Sequence, residues 1–143
     1  MDVAEPRTVF IAMMLLPPAA AVVNAVVHGL QLNSFLKRTP TIATYQNIVD
    51  FEKIVARQMY GALLQIVLLV TPGILFVIGL VRLVLAVDDF IYVMLPALAI
   101  FALGAAFKML ENRARSIPVD DPVLEERRDH IVEVWNSKAL PDW

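Results

Sequence analysis

The stretch Gln58–Val81, QMYGALLQIVLLVTPGILFVIGLV, contains no Asp, Glu, Lys or Arg. A helix that crosses the hydrocarbon core of a bilayer needs about 20 consecutive, mostly apolar residues. This run is long enough. On either side of it, Thr8 to Leu36 and Phe90 to Phe107 are equally free of charge. Three such runs take up most of a chain of 143 residues. Hydrophobic residues make up 59%, charged residues 18%, and the mean hydropathy is +0.68. Soluble domains average roughly 45–50% apolar and about 25% charged. No large soluble domain is left to hold a conventional active site.

The predicted fold is an all-α integral membrane protein. It has three kinked transmembrane helices, an amphipathic surface or stalk helix before span two, and a short amphipathic C-terminal helix. The expected segments are an N-terminal portion with span one over 1–36 and a cytoplasmic helix over 37–57. Span two follows over 58–87, span three over 88–110, and a cytoplasmic tail over 111–143. A secretory signal would begin with basic residues and carry an apolar run of only about 7–15 residues. Here MDVAEPR sets Asp2 and Glu5 against Arg7, and a longer run follows, so the segment is read as a retained span. The chain has no cysteine, so neither disulfides nor thiolate metal sites are expected.

Lys37, Arg38, Lys53 and Arg57 follow span one, and Lys108, Arg113 and Arg115 follow span three. The other side has only Arg7 and Arg82, with Asp88 and Asp89 in its turn. Basic flanks stay in the cytoplasm, which predicts an outside N-terminus and a cytoplasmic C-terminus. Ile42, Tyr45, Ile48, Val49, Val55, Ala56 and Met59 recur at helical spacing, with Pro40 and Thr41 as the expected helix start. A helix from Thr41 to Val87 would be about 70 Å long, more than a bilayer can hold. Its first third therefore lies along the surface or rises into the cytoplasm. Arg82 is placed to snorkel to the outer interface.

In the tail, Asp121-Pro122 reads as an N-cap and first helical position. The following helix groups Leu124, Ile131, Val132, Val134 and Trp135 on one face and carboxylates on the other. Without a polybasic stripe it is expected to dock on protein rather than lipid. Leu124, Ile131, Trp135 and Trp143 are the candidate docking residues. The occupant is either a separate subunit or the chain's own 41–57 helix.

Every span carries proline: Pro17 and Pro18, Pro72, and Pro96. Ala21, Ala25 and Gly29 give span one a small-residue face, and Ala99, Ala102 and Ala106 do the same for span three. Such faces let helix backbones approach closely. Asn24, His28 and Gln31 form a polar stripe beside the first of these faces, and Gln58 and Gln65 lie a heptad apart on span two. Interhelical hydrogen bonding is the economical role for these five. The sharper alternatives make them a pore lining, or make His28 an axial ligand to haem or chlorophyll. The only other histidine, His130, lies in the tail, so a second axial histidine would have to come from another chain.

HExxH, GxGxxG, P-loop and GxSxG patterns are absent, and the charge-free runs hold no acid. Asp88–Asp89 and Asp120–Asp121 precede helices and read as caps. The expected function is a non-catalytic accessory or structural subunit of a larger membrane complex. Its partners would be lipid and other membrane subunits or copies of itself, with no nucleic acid and no resident metal. The alternatives are a homo-oligomeric channel or transporter, and a subunit that helps bind haem or chlorophyll through His28.

Overall fold

Uninterrupted apolar runs make long helices, and the computed structural model, which describes residues 4–143, contains three of them. Asp2, weighed above against a signal peptide, lies outside the described residues. Helix α1 covers Ala4–Arg38 and α2 covers Tyr45–Val81. A 3-10 turn, Val87–Phe90, leads into α3, Ile91–Arg115, and α4 is Pro122–Ser137. The first three are long and apolar enough to cross a membrane. All three run unbroken through their prolines.

Helix α2 is shorter at both ends than the pattern suggested. It begins at Tyr45 rather than at Pro40–Thr41 because Ile42 is held in extended backbone. The Ile42 N–H donates to the Pro118 carbonyl at 2.9 Å, and its carbonyl accepts from the Asp120 N–H at 3.1 Å. These bonds form an isolated parallel bridge between Ile42 and Val119. Thr44 then becomes the cap. Its Oγ1 accepts from the Asn47 N–H, and Asn47 Oδ1 accepts from the Thr44 N–H, each at 3.2 Å. This reciprocal pair is a capping box with asparagine in the acceptor role.

At the other end α2 stops at Val81, not Val87. The Val84 N–H reaches back to the Gly79 carbonyl at 2.9 Å, and the Leu83 N–H to Leu80 at 3.0 Å. That is a Schellman ending, whose pivot residue is normally glycine. Here the pivot is Leu83, at φ 57°. Gly79 makes room for the returning chain, since a Cβ there would lie 2.4 Å from Leu85 Cδ1.

The chain divides into two units, and α1, α2 and α3 contribute to both. The first comprises residues up to Ala25 and Leu64–Ala105, and the second Val26–Leu63 and Ala106–Trp143. In the first, Met14, Phe76 and Leu85 form a small buried cluster flanked by Phe10, Leu75 and Val93. In the second, a larger core gathers Leu32 and Phe35 from α1, and Ile48, Phe51 and Val55 from α2. Ala114 and Ile117 join it, with Ile131 and Val134 from α4.

Candidate functional site

The polar residues of the apolar runs fall in both units. In the second, Gln58 Nε2 donates to the His28 backbone carbonyl at 3.0 Å. The His28 imidazole lies against Gly61, where a Cβ would stand 2.6 Å from Nε2. Only glycine leaves space for the ring. His28 Nδ1 and Gln31 Oε1 are buried without a hydrogen-bond partner. Gly29 serves a similar purpose, since a Cβ there would fall 2.2 Å from Phe107 Cε1. One member of the small face on α1 therefore seats an aromatic ring of α3.

In the first unit, Asn24 Nδ2 donates to Gln65 Oε1 at 2.8 Å. Ala21 is fully buried and Ala25 half-buried. Ala99, Ala102 and Ala106, by contrast, are exposed. The two small faces thus differ: the one on α1 is covered by this chain and the one on α3 is not.

A contact that sequence reasoning missed ties the start of α1 to the start of α3. Arg7 Nη2 donates to Asp89 Oδ1 at 2.7 Å, and Arg7 Nε to Oδ2 at 3.3 Å. Asp89 also accepts from the Ala86 N–H at 2.9 Å and is only 2% exposed. The capping role expected for this residue is therefore half of its work. The pair was legible in one respect: Arg7 and Asp89 were placed at the same membrane face, one basic and one acidic. Gly61 was not singled out by the sequence, where its one signal is a position between Gln58 and Gln65 on the same side of α2.

The apolar face of α4 is occupied within the second unit. Ile131 and Val134 are buried in the core that includes Ile42, Ile48 and Phe51, with Leu124, Val132 and Trp135 packed on it. Asp121 Oδ1 accepts from the Val123 N–H at 2.8 Å, the N-cap read from the sequence. Arg127 bridges to Glu52 at 2.8 Å, and this hydrogen-bonded carboxylate holds the guanidinium pKa above its ordinary value. The Arg115 guanidinium lies 4.7 Å over the Trp135 ring. Arg128 Nη1 donates to the Ile117 carbonyl at 2.8 Å. Trp143 stays partly exposed beside Tyr45, Val123 and His130.

Among the described residues no three His, Cys, Asp or Glu side chains converge on a point that would suit a metal ion. Comparison with protein-family models, curated proteins and solved structures returns no match.

Proposed function

We propose that this chain is a multi-pass membrane protein, with its N-terminus outside and its C-terminus cytoplasmic. It serves as a non-catalytic accessory subunit of a larger membrane complex. The observation that carries this reading is the uncovered small-residue face of α3. Only 6% of the most apolar stretch of that helix is buried, and Ala99, Ala102 and Ala106 lie open along it. Lipid tails gain little from such a surface, whereas another helix packs closely on it. The inward pairing of Asn24 with Gln65, and of Gln58 with the His28 carbonyl, supports a packing role over a pore lining or a ligand role. The α4 face contributes less to partner docking than its pattern suggested, because the chain's own core covers it.

The test is a mild-detergent pull-down from native membranes through a tag on the tail, with companions identified by mass spectrometry. Stoichiometric companions are expected. Ala102→Phe is expected to release them while the chain remains in the membrane. A colourless homo-oligomer with no companions would overturn the subunit reading and favour a channel. A visible band abolished by His28→Ala would favour the cofactor alternative.

A further inference from the structure

We infer that the cleft between the last turn of α1 and the early turns of α2 binds the phosphate of an anionic phospholipid headgroup. The cleft lies within the second unit and has a volume of about 400 Å³. Its rim carries Arg38, Lys53 and Arg57, with Asp50 as the one acid and the apolar side chains Phe35 and Ile54 in its lining.

Of the seven Lys and Arg side chains without a carboxylate partner among the described residues, three converge on this cleft. Arg7, Arg115, Arg127, Arg128 and Lys138 each have a carboxylate partner. Arg38, Lys53 and Arg57 have none among the described residues, although Asp50 lines the same cleft. Asp50 instead accepts from Gln46 Nε2 at 3.0 Å. Arg38 spends only its Nε, on the Ser34 carbonyl at 3.3 Å, which leaves its terminal nitrogens available. Lys53 and Arg57 are one helical turn apart and project from the same side of α2. Three cations against one carboxylate leave two positive charges uncompensated. An anionic phosphodiester reduces that excess, while a zwitterionic headgroup leaves it unchanged.

Position and lining favour a lipid over a soluble phosphate. The cleft sits where the apolar runs of α1 and α2 both end, next to Leu36 and just before Gln58. That is headgroup depth for helices that cross a bilayer, so the inference rests on the membrane reading above. The edges of Phe35 and Ile54, whose bulk is buried in the core, give the cleft an apolar floor beneath the glycerol backbone. Basic pockets of this kind between helices suit anionic headgroups.

The experiment uses the full chain in nanodiscs of mixed phosphatidylglycerol and phosphatidylcholine, with retained lipid counted by native mass spectrometry. Wild-type protein is expected to retain phosphatidylglycerol preferentially. The combined variant Arg38→Gln, Lys53→Gln, Arg57→Gln is expected to weaken that retention by about fivefold per charge removed, roughly a hundredfold in all. A charge-matched control, Lys37→Gln, Lys108→Gln, Arg113→Gln, removes as much charge outside the cleft and is expected to retain the lipid. Thermal melts establish that both variants are folded. Equal loss from both variants, or no lipid preference in the wild type, would overturn the site. Millimolar inorganic phosphate is expected to leave the wild-type melt unmoved. A melt raised by phosphate, and restored to baseline by the cleft variant, would assign the cleft to a soluble anion and overturn the lipid. Alkaline carbonate extraction separates the two levels of the argument. A chain released by carbonate defeats the membrane reading itself, whereas a retained chain without lipid preference defeats only the site.

Discussion

The two units are built on different economies. Among the described residues the buried cluster of the second unit holds twelve apolar side chains and that of the first holds three, so only the second has a core of the usual kind. The second also carries the capping box at Thr44, the Ile42–Val119 bridge and the whole of α4. The first leaves Val67, Ile74, Val77, Leu95 and Phe101 exposed. It relies instead on the buried Ala21 face, the Asn24–Gln65 hydrogen bond and the Arg7–Asp89 pair. In water, apolar burial is the main driving force, and a segment gathers a core. In lipid, burying one apolar side chain against another gains little over burying it in acyl chains, and small faces and polar pairs take over. The exposed apolar side chains of the first unit suit a lipid solvent, and the clustered core of the second suits water.

That contrast can be broken most severely in the core of the second unit. Phe51 is fully buried there and stacks near Phe35, with ring centroids 6.0 Å apart. Phe51→Ala is expected to cost about 3–5 kcal/mol, seen as early release of α4 in urea titrations followed by proteolysis. A comparable truncation of an outward residue of the first unit, Val77→Ala, is expected to leave the melt nearly unchanged.

The next effect lies in the ion pair, and its two halves are unequal. Asp89 is almost wholly enclosed, whereas the Arg7 side chain is 52% exposed. Arg7→Gln strands a buried carboxylate. Asp89→Asn strands a cation that can turn to solvent. The first is therefore expected to lower the melting temperature more than the second. A double-mutant cycle isolates their coupling, and equal losses would mean that the pair is not buried as described.

Smaller still is the hydrogen bond inside the first unit. Gln65→Leu keeps the volume and removes the acceptor of Asn24, at an expected cost of about 0.6–2 kcal/mol measured by unfolding in mixed micelles. The smallest expected effect has the opposite sign. Leu83 holds a left-handed conformation in the Schellman turn and is exposed. Leu83→Gly relieves that strain at some cost in unfolded-state entropy, for a net gain of about 0.5–1 kcal/mol in the same assay.

The three long helices were legible because the absence of charge over a whole run is a local property of the sequence. Asp121 was legible as an N-cap for the same reason, its partner being two residues away. What stayed hidden depends on residues far apart in the chain. Pro40 and Thr41 have the local signature of a helix start, but the backbone of Ile42 is claimed by Pro118 and Asp120, and the start moves to Tyr45. Asp89 reads as a cap until Arg7, 82 residues away, reaches it. The apolar side of α4 was plain from its spacing, and its occupant was not, because periodicity shows a face without showing what covers it. The polar stripe was legible as residues and illegible as pairs: His28 faces Gly61, a residue with no side chain to advertise the contact.

The measurement that tests the central claim most directly is labelling of single cysteines, for which this chain, having none of its own, is a clean background. Cysteines placed at Ile74, Leu83 and Glu133, one per variant, are treated with a membrane-impermeant maleimide in intact cells, inverted vesicles and denaturant. Position 74 is expected to label only after denaturation, position 83 in intact cells, and position 133 in inverted vesicles alone. Ready labelling at position 74 in intact cells or inverted vesicles, or the same pattern at positions 83 and 133, would contradict the proposed multi-pass membrane topology.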